Sequence, residues 1–295
     1  MATKTAMITI AGRPNVGKST LTNFLVGEKI AIVSNKPQTT RNRICGIVTK
    51  GDSQFVFVDT PGFHRARTKL GDYMVNVTRS SIADVDLTIM MVEPIASIGP
   101  QEEGLIQQIK ESKCPVVLAI NKIDSVEKDT LLQVMDIYSK AADFAAIIPI
   151  SAKTGDGVNA LLEQCRKYAV ESPFLFPEDV TTDQPERQVM AEIIREKLLW
   201  TLDREVPHGT AVEITKFSER DNGIIDLDAT IYCEKASHKG IIIGKHGDML
   251  KKISTMARTD CEKFMGTRVY LTTWVKVKEN WRDSDFLVRN FGYRE

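Results

Sequence analysis

The sequence predicts an α/β domain with a mixed, mostly parallel sheet, followed by a smaller α+β domain. Three observations carry this reading. From Met7 to about Ala169, short apolar runs alternate with amphipathic segments, the pattern of a three-layer domain with helices on both faces of a sheet. The turn Thr49-Lys50-Gly51-Asp52-Ser53 joins two strand-like runs, 44–50 and 54–58, too closely for a helical crossover, so one strand runs antiparallel to the rest. After a stretch with prolines at 173, 177 and 185 and no usable period, the pattern changes to α-β-β-α-α-β. The expected division is 1–172 for the first domain, 173–184 for a linker and 185–295 for the second.

The first apolar run, Met7-Ile8-Thr9-Ile10-Ala11, leads into Gly12-Arg13-Pro14-Asn15-Val16-Gly17-Lys18-Ser19, which fits G-x-x-x-x-G-K-[ST] between a strand and a helix. Glycines let the backbone fold back with its N–H groups inward. The helix start adds partial positive charge where a β-phosphate would sit. Gly12, Asn15, Val16, Gly17, Lys18, Ser19 and Thr20 are the expected phosphate contacts, with Lys18 reaching the β/γ oxygens and Ser19 ligating Mg²⁺. In the polar stretch Lys36-Pro37-Gln38-Thr39-Thr40-Arg41, Thr40 is placed to add a second hydroxyl to Mg²⁺, a role for which Thr39 competes.

The next strand ends in Asp59-Thr60-Pro61-Gly62-Phe63. Asp59 is expected to hold the metal through water, and the Gly62 N–H to bond a γ-phosphate, so that loss of this phosphate frees residues 64–81. Lys18, Thr40 and Gly62 thus take the catalytic roles. The run 115–120 then delivers Asn121-Lys122-Ile123-Asp124. A carboxylate at Asp124 accepts two hydrogen bonds from guanine's ring N–H and exocyclic amine. Adenine leaves those acceptors unpaired in a desolvated pocket, at a cost of a few kcal/mol. Lys122 lays its stem along the base and Asn121 ties this loop to the phosphate loop. A third run, 145–150, delivers Ser151-Ala152-Lys153, where Ala152 offers an N–H to the guanine carbonyl and Lys153 covers the other face.

The second domain opens with a helix over 186–205, whose stripe Val189, Ile193, Ile194, Lys197, Leu198 and Leu202 leaves a charged far side. Strands over 210–217 and 227–234 follow, then Ser237-His238-Lys239-Gly240-Ile241-Ile242-Ile243-Gly244-Lys245-His246-Gly247-Asp248, a helix to about Met265 and a last strand over 268–277. Gly244 and Gly247 permit phosphates to approach the main chain, and Lys245 supplies charge. Between Lys235 and Arg258 there are six Lys/Arg against one acid, Asp248. That local excess matters because 39 Lys+Arg balance 39 Asp+Glu, leaving no global pull toward nucleic acid. Lys239, Ile243, Gly244, Lys245, His246, Gly247, Lys251 and Lys252 are the candidate RNA contacts. Trp200, Trp274 and Trp281 are read as core or packing residues.

No apolar run approaches the ~20 residues that cross a bilayer, and Met1–Thr5 leads directly into the first strand, so neither a spanning helix nor a signal peptide is expected. Cys45, Cys114, Cys165, Cys233 and Cys261 are odd in number and scattered, which points to reduced cytosolic thiols rather than disulfides or zinc.

The order and spacing of the nucleotide elements resemble the translation-factor-related GTPases, in the branch carrying Gly-x-Pro-Asn-Val-Gly-Lys-Ser and Asp-Thr-Pro-Gly. The resemblance implies a P-loop GTPase domain that uses GTP and Mg²⁺. Ras-like relatives place a water-orienting glutamine after Asp-x-x-Gly; here that position is Phe63. Hydrolysis must then rest on Lys18, Mg²⁺ and further positive charge. In this branch the asparagine matching Asn15 helps hold a potassium ion, so K⁺ is a cofactor that the resemblance implies. The later element order with Ile242-Ile243-Gly244-Lys245-His246-Gly247 resembles the KH RNA-binding domain of type II, whose Gly-x-x-Gly loop clamps about four nucleotides.

The two domains in this order, with residues 192–198 and 271–278, resemble over essentially the full length a family of bacterial GTPases. Its known properties imply binding near the 3′ end of 16S rRNA, action in 30S subunit assembly, a monomer in the cytoplasm and peripheral contact with the inner membrane. Two rival readings are weaker. A pure RNA-binding scaffold does not need every nucleotide-contacting element present, and a metabolic kinase or ATPase does not fit Asn121-Lys122-Ile123-Asp124.

Overall fold

The computed structural model describes residues 2–62, 68–83, 85–112 and 114–293, which divide into two compact units. The first comprises 1–31, 40–66 and 74–183, the second 32–39, 67–73 and 184–295.

The first unit is an α/β sandwich. Its strands are β1 (Lys4–Ala11), β2 (Ile44–Lys50), β3 (Ser53–Asp59), β4 (Leu87–Val92), β5 (Val116–Ile120), β6 (Ala146–Pro149) and the short β7 (Val170–Glu171). Its helices are α1 (Lys18–Val26), α2 (Lys69–Ala83), α3 (Pro100–Ser112), α4 (Lys128–Ala141) and α5 (Val158–Arg166), with the first turns of α2 grouped with the second unit. The sheet order is β2-β3-β1-β4-β5-β6, with β7 on β1. β2 pairs antiparallel with β3, as the tight turn at Gly51 requires, and β7 antiparallel with β1; the other pairings are parallel.

A strand covered on both faces has no polar side to show, and every residue of β4 is buried. Leu87, Ile89 and Met91 join the core with Ile8, Phe57, Leu21 and Leu161. Met90 and Val92 join the opposite core with Leu105, Ile109 and Val134. Register brings Ile10 opposite Asp59, Val92 opposite Ile120, and Ile120 opposite Pro149, so the carboxyl ends of β1, β3, β5 and β6 open at one level. β1 lies between β3 and β4, the place where the strand order reverses and where open α/β sheets form their ligand crevice.

The stretch expected to be a linker is held against the first unit for most of its length. Gln54 Nε2 donates to Phe176 O at 2.9 Å and its Oε1 accepts the Leu175 and Phe176 N–H groups. Thr182 bridges to Gly46, and the Cys45 N–H donates to Asp183 at 3.0 Å. The prolines marked the absence of helix and strand, not a free tether.

The second unit follows the expected order: α6 (Glu186–Thr201), β8 (Ala211–Glu219), β9 (Ile225–Cys233), α7 (Ala236–Ile243), α8 (Asp248–Met265) and β10 (Val269–Val277), with a short α9 (Asp285–Asn290) added. β9 is central, antiparallel to β8 and parallel to β10. α6 and α8 supply Ile193, Ile194, Leu198, Ile253, Ala257 and Cys261 to one core with Leu227, Ala229 and Ile231. In the first helix Arg195 and Glu196 of the charged side are buried, as is Lys197 of the stripe. Of the three tryptophans Trp281 is core, donating its indole N–H to Gly209 O at 2.9 Å and stacking on Tyr293; Trp200 packs at the surface with the Lys197 ammonium 3.7 Å from its ring centre, and Trp274 is exposed.

Candidate nucleotide and RNA sites

Four loops leave the carboxyl ends of β1, β3, β5 and β6 and, with Thr40 from the segment between α1 and β2, carry the residues marked for nucleotide. In the first, Gly17 has φ 104°, and a Cβ there would meet the Asn121 amide nitrogen at 2.2 Å, so only glycine lets the chain enter α1 here. Lys18 is buried at the start of α1, its ammonium donating to Gly12 O and Arg13 O at 3.1 Å each. Burial pulls its pKa down to about 8, against the opposing pull of Asp59. Thr20, the third residue of α1, is half-buried.

Ser19, Thr40 and Asp59 converge. The Ser19 hydroxyl donates to Asp59 Oδ2 at 2.6 Å, and lies 2.9 Å from the Thr40 hydroxyl. Thr39 is turned away, donating to Lys36 O at 2.6 Å, which favours Thr40 over Thr39 in the competition left open above. The other oxygen of Asp59, Oδ1, is buried and accepts no hydrogen bond among the described residues. Burial raises the Asp59 pKa to about 6, with Lys18 and then Ser19 holding it down. An under-satisfied buried carboxylate beside two hydroxyls is an all-oxygen donor set of the kind hard cations take. Gly62 fits closely against the phosphate loop, where a Cβ would stand 2.7 Å from Pro14 N. Phe63, the residue in place of a glutamine, lies outside the described residues, as does part of 64–81.

The base loops are tied together by Asn121. Its amide donates to Val16 O at 2.7 Å and accepts the Ala152 N–H at 2.8 Å. Lys122 has a left-handed backbone, φ 66°, and its ammonium donates to Asn15 O at 2.8 Å. Ser151 donates to Asp124 Oδ1 at 2.7 Å, and this bond first of all holds the Asp124 carboxyl below its ordinary value, as an acceptor of two donors requires. Lys153 stands exposed at the rim.

Sequence reasoning missed Glu93, immediately after β4. It pairs with both Arg13 and Lys122, and Arg13 also reaches Glu102 at 3.1 Å, so the phosphate and base loops share a charge clamp. An acid directly following the apolar run 89–92 was the available signal.

In the second unit α7 ends at Gly244 and α8 begins after Gly247. The two glycines serve different needs. A Cβ at Gly244 would lie 2.6 Å from the Met249 Cβ, whereas Gly247 has open space around it and needs glycine for its φ of 84°. The open side is the one a phosphate can approach. Lys245, His246, Lys251 and Lys252 are exposed, Lys239 is half-buried, and Ile243 packs against the core. Among the described residues no group of His, Cys, Asp and Glu has the arrangement of a metal cluster, and no helix is long and apolar enough to cross a membrane.

Residues 7–122 match the family described as 50S ribosome-binding GTPase, and residues 205–282 match the KH domain family. The GTPase Era of Ruminiclostridium cellulolyticum is 53% identical, covering 100% of this chain and 99% of its own. That of Clostridium kluyveri is 52% identical, covering 99% of each. A crystal structure of Era with MgGDPNP and nucleotides 1506–1542 of 16S ribosomal RNA superposes with a TM-score of 0.95 at 38% identity, over 99% of this chain and 100% of that one. An Aquifex aeolicus Era variant bound to GDP and AlF₄⁻ gives 0.94, with the same identity and coverage.

Proposed function

The chain belongs to the Era family of GTPases, and from that membership we propose that it is a switch whose nucleotide state controls its hold on the 3′ end of 16S rRNA during 30S subunit assembly. GTP hydrolysis is the family's activity. The observation that carries the site assignment is the convergence of Ser19, Thr40 and the unsatisfied Asp59 oxygen beside buried Lys18.

In this reading Ser19 and Thr40 hold Mg²⁺ directly and Asp59 holds it through water. When bound, the ion neutralises charge on the β- and γ-phosphates. Lys18 gives up its bonds to Gly12 O and Arg13 O for phosphate oxygens. Ionic contact with phosphate restores the charge that burial disfavours. The N–H groups at the start of α1 and that of Gly62 face the phosphates, and Asp124, Ala152, Lys122 and Lys153 take the guanine edge, carbonyl and faces. Chemistry here is positioning and charge, since the transferred group passes through a loose transition state. Asn15 would hold K⁺, which when bound would supply further positive charge. The Gly244–Gly247 loop and the lysines at 239, 245, 251 and 252 take single-stranded RNA, residues 1–172 and 185–295 forming the two working domains. The protein works as a cytoplasmic monomer, with peripheral contact at the inner membrane.

Lys18→Ala tests the nucleotide assignment. GTP turnover should fall by at least ~100-fold with ATP turnover negligible in either protein; wild-type turnover would remove this loop from the site. For the ion, turnover in K⁺ should exceed that in Na⁺ and Asn15→Ala should abolish the difference. Equal rates in both salts would discard K⁺ and leave the GTPase intact.

A further inference from the structure

Residues 32–39 lead directly into Thr40 and are part of the second unit, where helix α6 satisfies their backbone. Glu196 accepts the Val33 N–H at 2.9 Å, and the exposed end of α6 adds a bond from the Trp200 indole to Val33 O, also at 2.9 Å. The Lys36 ammonium donates to Leu202 O at the end of the helix. Arg195, fully buried, donates to Gln38 O at 3.4 Å and to Thr39 O, and gives two further donors to Glu192 at 2.6 and 2.9 Å. The backbone at Gln38 is left-handed, φ 58°, a conformation a non-glycine residue holds only when its surroundings insist on it.

These contacts fix a loop whose ordering costs conformational entropy, and they do so with buried charge-assisted hydrogen bonds, the strong kind. The next peptide carries Thr40, whose hydroxyl lies 2.9 Å from that of Ser19. The same helix is wired to the basic one: Glu196 pairs with Lys197 at 2.7 Å and Lys197 with Asp260 of α8 at 2.5 Å. α8 begins at the Gly244–Gly247 loop.

We infer that Arg195 and Glu196 are positioning residues for the Mg²⁺ ligand Thr40, so that the GTP-bound site is set from the helix that also braces the RNA-contacting one. The inference rests on the reading of Thr40 as a ligand of Mg²⁺ with GTP. A helix that merely stabilises the fold has no reason to distinguish GTP from GDP. A helix that sets Thr40 does, because Thr40 meets the ion only with the γ-phosphate in place.

The test uses the full chain with Arg195→Lys, which keeps a charge for Glu192 but lacks the planar fork that reaches two carbonyls. A second variant, Lys36→Met, removes a partly exposed tether and spares the core. Affinities for GDP and for a non-hydrolysable GTP analogue are measured as a function of Mg²⁺, with and without a 16S 3′-end RNA. In both variants the analogue-to-GDP affinity ratio should fall, by about tenfold for Arg195→Lys, and the Mg²⁺ needed with the analogue should rise. RNA should then alter analogue affinity less than in the unmodified chain. An unchanged ratio in Lys36→Met and in folded Arg195→Lys overturns the inference, as does an equal loss of both nucleotides. If Arg195→Lys does not fold, Lys36→Met decides alone. Failure of the unmodified chain to bind the analogue with Mg²⁺ would instead refute the site reading, and the inference with it.

Discussion

The Asn121 side chain donates to the Val16 carbonyl at 2.7 Å, so the loop proposed to take the base is bonded to the loop proposed to take the phosphates. With the Ala152 N–H on its other end, this one buried amide sets the spacing among three loops.

In the proposed site Asp124 sets base selectivity. Replacing it with Asn presents an amide where two N–H donors must be accepted, and so lowers GTP affinity by about 100-fold or more while raising that for xanthosine triphosphate. Competition binding with the two nucleotides checks this. A variant that still prefers GTP would place the base elsewhere.

The burial of Asp59 has a pH signature in the nucleotide-free chain. Its pKa in the folded protein, about 6, exceeds the ordinary 3.8, so between these values the folded state holds more protons than the unfolded one. Stability from this group is therefore present below the lower value and is lost as pH rises through the window. Asp59→Asn, which cannot ionise, should gain stability relative to the unmodified chain across the same interval. Urea unfolding at several pH values measures the difference; one that does not grow with pH would contradict the buried carboxylate.

Gly247→Asp should weaken RNA binding by about tenfold or more, through contact distance and repulsion of phosphate. Its left-handed φ makes the substitution cost about 1 kcal/mol, since Asp visits that region more readily than most residues. The fold should survive with a slightly lower melting temperature. Filter binding and a thermal melt separate the effects; normal RNA affinity would move the RNA site off this loop.

Much of this was legible beforehand because it is local. The phosphate loop, Asp59 and Asn121 each sit at the end of a strand, with Asp124 three residues after Asn121, and β2 had to reverse because the turn at Gly51 is short. What stayed hidden depends on distant partners. Arg195 and Glu196 look like a solvated helix face until residues 32–39 close over them, and the Glu93 clamp needs Arg13 and Lys122 from two other loops. The tail around Trp281, Phe291 and Tyr293 has no period to read, only an aromatic cluster that forms once Gly209 is near.

The central claim is that nucleotide state governs RNA engagement on one chain. Filter binding of a single-stranded RNA carrying the 16S 3′ end, with the protein loaded with a non-hydrolysable GTP analogue or with GDP, tests it most directly. Affinities differing by at least about fivefold, within the usual range of coupling between sites, are the expected result. Equal affinities in the two states would mean two independent activities joined only by the chain.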